Sequence, residues 1–473
     1  MDIQLLKEQN PWWIAKEKIN DDVNLEKLNK IKYVRYPRII DSFDMGKDLI
    51  YTLRGSRQVG KTTAMKLLIK KLLQSNPKGN IFYFTCNNID TYKELLEIME
   101  IYLDWADNDR RKYIFVDEIT FVDRWTRAIK HLADMGRLRK CAIILTGSNA
   151  HDLKYEVERM PGRRGEDADL DKILFPVSFK EYVAFADSEI ASKFSDITEA
   201  ERNYPFYKKE LRKLLNSFLI TGGFTQSINN FADNGKIGMD VYQQYLSWIL
   251  GDLAKLGRKE SYSRQIFEQI ITVMRSNVGY DTIAKKTTID SHVTVASYLD
   301  VMESSFVLKI LYQIDIDKKV ARARRTKKIY FQDLFLFWVF YGYVYGFSDY
   351  FSSSNDRIRE DVVRSKVIEN LIMSDLMRSE NSVNWSNMVF FFRSTNNAEV
   401  DFVARSKEGE LLPIEVKYQN HVKDSDFLNL NKVNNRIGVI ISKDDFRVKN
   451  SKFIMPAEVF LLLDNKLTRR RNG

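Results

Sequence analysis

The sequence is poor in the residues that build zinc sites and disulfide frameworks. It has two cysteines, Cys86 and Cys141, and four histidines among 473 residues. The cysteines and histidines form no cluster with the spacing of a zinc site. Both cysteines fall in apolar runs that indicate buried strands, so we expect core thiols rather than a disulfide, and a reducing compartment.

Long hydrophobic runs are also lacking. The closest approach to one, Leu334 to Phe347, is aromatic throughout but shorter than the about 18 apolar residues that a membrane span needs. It predicts a helix buried at a domain or subunit contact. Residues 1–10 are acidic and polar where a signal peptide needs an apolar core. We therefore expect a cytoplasmic protein with no membrane partner.

Low-complexity segments and repeats of fixed period are absent, and only 8 residues are proline. With 44% apolar residues the chain is globular, and its length predicts two to four domains rather than one. Lys plus Arg (74) exceed Asp plus Glu (64) by ten. This excess suits a polyanionic partner, and DNA is the first expectation.

The segment Gly55–Thr63, GSRQVGKTT, matches the phosphate-binding loop pattern G-x-x-x-x-G-K-[ST] at every fixed position. An apolar strand (49–53) precedes it, and a helix (64–73) with leucines on one face and lysines opposite follows. Backbone N–H groups of such a loop point at the β-phosphate, Lys61 reaches the β/γ-oxygens and the Thr62 hydroxyl holds Mg²⁺. The predicted ATP-binding residues are Gly55, Ser56, Arg57, Gln58, Val59, Gly60, Lys61, Thr62 and Thr63.

A second apolar strand, residues 112–118, ends in two acids, Asp117 and Glu118. At the carboxyl end of a central parallel strand, Asp117 orders the water shell of Mg²⁺ and Glu118 polarises the attacking water. The pattern also fits a strand that ends in ordinary surface acids. Its position about 55 residues after the phosphate loop, in a βα pattern, favours hydrolysis. Residues 80–85 predict a further buried strand.

Residues at the end of the strand 141–146 are candidates for sensing the γ-phosphate. Thr146, Ser148 and Asn149 are small and polar, although a plain turn favours the same residues. The basic loop that follows contains Arg163 and Arg164, candidates for an arginine finger because a guanidinium neutralises charge on equatorial phosphate oxygens. A solvated loop is the alternative. A finger that acts across subunits would require a homo-oligomer.

Six motifs together resemble a family of archaeal and bacterial AAA+ ATPases. They are GSRQVGKTT, YIFVDEI, ILTGSNA, the GRRG loop, FPVSFKEY (Phe175–Tyr182) and FLITGGFTQSI (Phe218–Ile228). The family is similar to the origin-recognition and STAND-type branch of AAA+ proteins. The resemblance covers nearly the whole chain and implies a helical lid, a winged-helix segment and a C-terminal domain like the PD-(D/E)xK nucleases.

Residues 261–313 predict three helices, with a tight turn before a helix that starts near Ser291, as in a winged helix. That helix would expose His292, Thr294 and Ser297 and would pack Val293, Val295 and Leu299. A packing or subunit-contact role is the alternative to reading DNA. The run 318–328 predicts a basic wing or hairpin whose cations contact phosphates. Its predicted DNA-binding residues are Lys318, Lys319, Arg322, Arg324, Arg325, Lys327 and Lys328.

Two alternating strands near the C terminus, 398–404 and 411–417, place Asp401, Glu415 and Lys417 on one face. Two carboxylates on adjacent strands suit Mg²⁺ or Mn²⁺ at a scissile phosphate, and Lys417 would orient water. Glu369, in the helix 362–377, is a further candidate ligand. An ordinary wet face with acids and lysines is the alternative.

The predicted fold class is α/β. We expect a lead-in segment (1–48), a P-loop AAA+ core with a parallel sheet (49–190), a helical lid (191–260), a winged-helix domain (261–331) and a restriction-endonuclease-like α/β domain (332–473). The first functional hypothesis is an ATPase that couples hydrolysis to the action of these modules on DNA. The second is a STAND-like switch that acts on protein partners and has an inactive nuclease-like domain. A nuclease held in check by the ATPase is the third.

Overall fold

The computed structural model describes residues 3–147, 153, 162–165, 169–378, 388–396, 398–406 and 408–464. The chain forms two compact units, which meet in sequence between Phe175 and Pro176. Residues 176–190, expected in the ATPase core, therefore fold with the second unit. The other domain boundaries stay predictions.

The first unit is built on a five-stranded sheet in which all neighbouring strands are parallel. Its helices are α1 (Ile3–Gln9), α2 (Val23–Leu28), α3 (Lys61–Leu73), α4 (Tyr92–Trp105) and α5 (Thr126–Asp134), and its strands are β1 (Ile50–Arg54), β2 (Ile81–Thr85), β3 (Lys112–Asp117), β4 (Cys141–Thr146) and β5 (Asp171–Ile173). The strand order is β2-β3-β4-β1-β5. β4 thus lies between β1, which leads into the phosphate loop, and β3, which ends at Asp117.

The sheet confirms the mixed α/β prediction for this part of the chain. Strands β1, β3 and β4 are buried along their whole length, as expected for parallel strands covered on both faces. Cys86 and Cys141 are buried free thiols, as predicted.

The residues before the sheet cover its edge strand β2. Asn10 Nδ2 donates to Tyr83 O (2.9 Å), and Asn10 Oδ1 accepts from Tyr83 N (2.7 Å). The indole N–H groups of Trp12 and Trp13 both donate to Ile81 O, at 2.9 and 2.8 Å. Because an uncovered edge exposes unpaired backbone groups, these side chains stand in for a missing neighbouring strand. The beginning of the lead-in segment is part of the first unit.

The second unit begins with helices and ends with a mixed sheet. Its helices are α6 (Phe179–Ala186), α7 (Ser188–Ser192), α8 (Ile197–Thr221), α9 (Thr225–Asn234), α10 (Met239–Lys255), α11 (Glu260–Val273), α12 (Tyr280–Lys285), α13 (His292–Ser304), α14 (Leu334–Tyr345), α15 (Tyr350–Arg357), α16 (Asp361–Arg378), α17 (Phe427–Leu430) and α18 (Ala457–Leu462). Its strands are β6 (Leu308–Tyr312), β7 (Ile314–Asp315), β8 (Val320–Ala321), β9 (Lys327–Phe331), β10 (Val389–Arg393), β11 (Glu399–Arg405), β12 (Leu411–Val416), β13 (Gly438–Ser442), β14 (Arg447–Lys449) and β15 (Lys452–Pro456).

Three helices, α11 to α13, lead into an antiparallel pair formed by β6 and β9. The shorter antiparallel pair of β7 and β8 lies between those two strands in the chain. The segment 318–328 is therefore part of a hairpin, as predicted.

The six-stranded sheet has the order β10-β11-β12-β13-β15-β14. The pairs β10/β11 and β11/β12 are antiparallel, whereas β12/β13 and β13/β15 are parallel. The register pairs Phe402 with Ile414, which places Asp401 beside Glu415 as the alternating pattern predicted.

The two motifs FPVSFKEY and FLITGGFTQSI meet inside the second unit. Val177 N donates to Gly223 O (2.7 Å), and Gly223 N donates to the buried carboxylate of Asp333 at 3.0 Å. A Cβ on Gly223 would lie 2.2 Å from Val177 O. The glycine is required because backbone and carboxylate approach it this closely.

Helix α14 is the predicted aromatic helix, and nearly all of its residues are buried. Asp333 caps its N terminus by accepting from Phe335 N at 2.8 Å. None of the helices in the described ranges is long and apolar enough to cross a membrane.

Candidate functional site

The phosphate loop lies between β1 and α3. Gly60 has φ +99° and immediately precedes α3, and no side chain caps that helix. A Cβ on Gly55 would lie 2.4 Å from Leu174 O, so the loop needs glycine there. The buried Lys61 ammonium donates to Gly55 O (3.0 Å) and to Ser56 O (3.1 Å). Lys61 therefore folds over the loop at the start of the helix.

Asp117 is 2% exposed and accepts hydrogen bonds from four groups. Its Oδ2 accepts from the Thr62 hydroxyl (2.6 Å) and from the Tyr83 hydroxyl (3.0 Å). Its Oδ1 accepts from Thr146 Oγ1 and from Glu118 N (3.1 Å). The structure thus brings the predicted residues of the loop, β3 and β4 together at one edge of the sheet.

Glu118 follows β3 with φ 52°, in the left-handed region that favours glycine. Strained conformations of non-glycine residues concentrate at functional sites. Its N–H contacts Asp117 Oδ1 and, more weakly, Thr146 Oγ1 at 3.4 Å. The adjacent Gly147 has no room for a side chain, because a Cβ would lie 2.5 Å from Thr120 Cγ2.

These residues fit a nucleoside triphosphate and Mg²⁺. Ser56 Oγ is buried and has no hydrogen-bond partner among the described residues. The uncapped first turn of α3 offers backbone N–H groups to phosphate oxygens. Thr62 Oγ1 and the Asp117 carboxylate provide oxygen ligands of the kind that Mg²⁺ prefers. Bound Mg²⁺ would neutralise charge on the phosphate oxygens during phosphoryl transfer.

The two candidate finger arginines have different surroundings. Arg163 is 38% exposed and pairs with Asp134 at 2.7 Å. Arg164 is 11% exposed, binds both carboxylate oxygens of Asp171 (2.9 and 3.0 Å), and also donates to Ile50 O at 3.0 Å. Burial tends to raise the pKa of Asp171, but the bonds from Arg164 lower it overall. These contacts give Arg164 a structural role between β1 and β5, and a finger role of either arginine stays a prediction.

Two of the sensor candidates, Ser148 and Asn149, lie outside the described residues. Thr146, the third, contacts the Asp117 carboxylate directly. Its role in sensing the γ-phosphate stays a prediction.

The predicted basic run divides into an exposed part and a buried part. Lys318, Lys319, Arg322, Arg324 and Arg325 are exposed. Lys327 and Lys328 are buried, so the prediction that they contact DNA phosphates is wrong for this structure. Lys327 Nζ donates to Ala323 O and Arg325 O, both at 2.9 Å.

Val293 was expected to lie on the packed face of helix α13. Its side chain is 64% exposed in the structure.

Lys328 enters the predicted nuclease-like centre. Its Nζ lies 2.8 Å from Asp401 Oδ1, 2.8 Å from Glu399 Oε1 and 3.9 Å from Glu369 Oε1. The side chain has no exposed surface. A buried ammonium is tolerated only when carboxylates compensate it, so β9 and β11 are held together by charge at this point.

Glu369 has two more partners besides Lys328. Arg275 Nε donates to its Oε2 at 2.5 Å, and the Tyr330 hydroxyl donates to its Oε1 at 2.7 Å. Burial and the charge of Asp401 raise the pKa of Glu369 to about 7, against the opposing effect of Lys328 and Arg275.

Two acids of this centre, Glu369 and Asp401, are paired with cations. Burial tends to raise the pKa of Asp401, yet Lys328 keeps it below its usual value. Burial and Asp401 raise the pKa of Glu415. The described part of the chain contains no group of three or more His, Cys, Asp or Glu side chains placed to hold a metal ion together. Arg275 and Lys328 pair with Glu369 and Asp401, and Glu415 Oε2 accepts from Asp401 N at 3.3 Å. The predicted ligand set of Glu369, Asp401 and Glu415 stays a prediction.

Lys417 is placed beside a different acid. Its Nζ lies 3.2 Å from Asp426 Oδ1. Its predicted role of orienting water at the acid pair stays untested.

The sequence patterns did not reveal the role of three groups at these two sites: Tyr83, Lys66 and Lys328. Tyr83 was expected only as part of a buried strand, Lys66 on the face of its helix opposite the leucines, and Lys328 at a DNA phosphate. Lys66 was expected on the exposed face of α3, but it is buried and pairs with Asp22 at 3.1 Å. Its partner lies far away in the sequence, so helical periodicity alone gives no sign of the contact.

Three family models match parts of the chain. Residues 47–183 match an AAA domain. Residues 212–343 and 364–460 match two domains of unknown function, DUF8612 and DUF4143. The match to the AAA domain covers β1, the phosphate loop, Asp117 and Glu118.

The chain is also similar to whole proteins. An uncharacterized protein of Methanocaldococcus jannaschii is 24% identical over 92% of this chain and 92% of its own length. An uncharacterized protein of Haemophilus influenzae is 23% identical over 79% of this chain and 83% of its own length.

Two solved structures match a large part of the chain at low sequence identity. The Walker-type ATPase PABY2304 of Pyrococcus abyssi is 15% identical, with a TM-score of 0.39, over 69% of this chain and 95% of that chain. The Aeropyrum pernix ORC1 protein in complex with DNA is 12% identical, with a TM-score of 0.28, over 68% of this chain and 92% of that chain. The match to the AAA domain model over residues 47–183 agrees with the geometry of the site, because it spans the phosphate loop, Asp117 and Glu118.

Proposed function

We propose that the chain hydrolyses ATP with Mg²⁺ and that the nucleotide cycle controls its association with DNA. The observation that most supports hydrolysis is the hydrogen bond from the Thr62 hydroxyl to Asp117 Oδ2 at 2.6 Å, with Glu118 next in sequence. Thr62 and Asp117 would hold Mg²⁺ through their oxygens, and the bound ion would neutralise charge on the phosphate oxygens. Glu118 then orients and polarises the attacking water, and Lys61 neutralises charge on the phosphate oxygens.

Replacement of Glu118 tests hydrolysis. Glu118→Gln is expected to lower ATP turnover by about 10²–10⁴-fold, because the amide is a poor base, while nucleotide binding is kept. Asp123→Asn is the matched control, since Asp123 is an exposed acid a few residues after Glu118 in the sequence. Normal turnover by Glu118→Gln would refute the assignment.

The DNA proposal rests on the order of elements and on exposed charge. Three helices followed by an antiparallel pair of strands is the order of a winged helix, and the exposed cations lie on its hairpin. Arg322 pairs with Asp315 at 3.0 Å, and Lys319 donates to Gly409 O at 2.8 Å. Lys318, Arg324 and Arg325 have no ion pair among the described residues, which makes them the strongest candidates for phosphate contacts.

A triple alanine variant of Lys318, Arg324 and Arg325 tests this interface. Loss of three phosphate contacts should flatten the slope of log K against log salt by about 2 to 3 for duplex DNA. The matched control removes three exposed lysines elsewhere in the second unit, Lys209, Lys213 and Lys236. Equal slopes for both variants would refute the interface.

A specific observation favours a regulatory reading of the C-terminal domain. Lys328 and Arg275 engage the acids that would otherwise bind Mg²⁺ or Mn²⁺, so we propose that this domain does not cleave DNA in this arrangement. The STAND-like switch is the second candidate function for the same reason. Labelled DNA with Mg²⁺ or Mn²⁺ tests it: products made by the wild type but not by Asp401→Ala or Lys417→Ala would establish a nuclease.

The same experiments separate the two candidates. Turnover that rises with single-stranded, duplex or branched DNA supports the DNA-associated ATPase. Turnover indifferent to all three, with no DNA binding, supports the switch. The oligomer size recorded with and without ATP tests the proposed homo-oligomer.

A further inference from the structure

A continuous path of buried side chains links the lead-in segment to Asp117. Asp22 Oδ2 lies 3.1 Å from Lys66 Nζ, and that Nζ lies 3.3 Å from the centroid of the Tyr83 ring. The Tyr83 hydroxyl donates to Asp117 Oδ2 at 3.0 Å. All these contacts lie within the first unit.

Lys66 is a buried part of this path and not a surface lysine. It is 4% exposed, and Tyr83 is 6% exposed. Burial lowers the pKa of Lys66, while Asp22 favours its charged form. A cation held against the face of an aromatic ring is attracted to its electrons. Because Lys66 follows Thr62 by four residues, both side chains lie on the same face of α3.

We infer that Tyr83 is a positioning residue for ATP hydrolysis and that Lys66, anchored by Asp22, fixes the Tyr83 ring in place. The inference rests on the proposed ATPase function. Oδ2 of Asp117 accepts from Tyr83 and also from Thr62, so the hydroxyl of Tyr83 sets where this oxygen stands relative to the threonine hydroxyl. Oδ1 is held separately by Thr146 and by the backbone.

The lead-in segment thereby becomes part of the catalytic unit. Asn10 bonds both backbone groups of Tyr83, so the strand that carries the tyrosine is fixed by the same segment that supplies Asp22. The Trp12 ring centroid lies 5.1 Å from Lys66 Nζ, so this ring covers the ammonium on another side. A change in residues 3–22 would reach the Mg²⁺ site through Lys66 and Tyr83.

The variant Tyr83→Phe isolates the hydroxyl, because it keeps the ring that Lys66 contacts. We expect the Mg²⁺ concentration at half-maximal turnover to rise about tenfold, the usual effect of losing one hydrogen bond to a charged group. A second readout does not depend on turnover. The extra rise in melting temperature that ADP with Mg²⁺ gives over ADP alone should shrink in this variant.

Tyr113→Phe is the matched control. Tyr113 lies on the neighbouring strand β3, and its hydroxyl bonds Asn76 Oδ1 at 3.0 Å, away from Asp117. Its Mg²⁺ dependence should equal that of the wild type. Asp22→Asn removes the charge beside Lys66 but keeps an oxygen that can cap α2, and it should shift the Mg²⁺ dependence in the same direction as Tyr83→Phe.

The outcomes are distinct. The positioning role is refuted if Tyr83→Phe and Tyr113→Phe need the same Mg²⁺ concentration for half-maximal turnover and gain the same extra melting temperature from ADP with Mg²⁺. If the wild type fails to hydrolyse ATP, the proposed function is refuted, and the melting experiment with ADP and Mg²⁺ still decides whether Tyr83 positions Asp117 for Mg²⁺. If Tyr83→Phe merely melts earlier with an unchanged Mg²⁺ response, the tyrosine is structural and the inference is wrong.

Discussion

Removing the positive charge of Lys328 is a perturbation for which the structure predicts a large effect. Lys328→Met keeps the length of the side chain and deletes an ammonium that has no exposed surface. Asp401 and Glu399, each 2.8 Å away, would lose their buried counter-ion. We expect the second unit to be strongly destabilised.

The magnitude follows from the contacts. At an effective dielectric constant of about 20, an ion pair at 2.8 Å is worth about 6 kcal/mol before desolvation is subtracted. Glu399 is 31% exposed and can be hydrated when the lysine is lost, whereas Asp401 is 13% exposed. Breaking a buried pair by removing one partner costs about 3–5 kcal/mol, which is our expectation for Lys328→Met.

The assay is thermal unfolding measured by calorimetry, in which each unit can give a separate transition. For domains of this size a change of 1 kcal/mol shifts the melting temperature by about 2–4 °C, so a fall of about 6 °C or more is expected. The matched control is Lys309→Met. Lys309 is also buried and pairs with Glu303, which is 20% exposed, at 2.6 Å.

Two results would refute this reasoning. Lys328→Met could melt at the wild-type temperature, or it could lose no more stability than Lys309→Met. A double variant provides a further check, since Lys328→Met with Asp401→Asn removes the uncompensated acid too. It should be more stable than the sum of the two single changes predicts, because both residues belong to one network.

Three other predictions concern stability. Arg164→Ala should lower the free energy of unfolding of the first unit by about 2–3 kcal/mol, and with it the melting temperature, because the guanidinium is mostly buried and paired. Gly223→Ala should prevent normal folding of the second unit, judged by circular dichroism, since its Cβ would lie 2.2 Å from a backbone oxygen, whereas Gly251→Ala, with open space in α10, should be neutral or stabilising. Asn10→Ala should cost about 1–3 kcal/mol in urea unfolding, because it leaves two groups of edge strand β2 unpaired.

The architecture of the first unit was largely readable from the sequence because each parallel strand is a short apolar run between polar segments. The strands around the phosphate loop and before Asp117 begin and end within a residue or two of the predicted positions. The order of the strands was not readable. It places β4 between β1 and β3, and only that order brings Thr146 to Asp117.

Contacts between residues far apart in the sequence explain the errors. Lysines are nearly always exposed, so the sequence places Lys66 on the outer face of its helix and Lys328 on a DNA-binding surface. Their partners Asp22 and Asp401 lie in other elements, and the charge pattern of one helix or one strand does not contain them. The hydrogen bond from Val177 N to Gly223 O was not predictable for the same reason, because the two residues are far apart in the chain and the fold brings them together.

The pair Lys327 and Lys328 carries a signal that the sequence reading overlooked. Successive side chains of a strand point to opposite faces, so two adjacent lysines in an apolar strand cannot both reach solvent through one face. In β9 both faces are covered: Lys327 turns to backbone oxygens and the Tyr280 ring, and Lys328 turns to Asp401. A basic run that continues into a buried strand should therefore be divided at the start of that strand. Applied here, the rule confines the DNA-binding proposal to the exposed cations before β9 and predicts acids opposite Lys328.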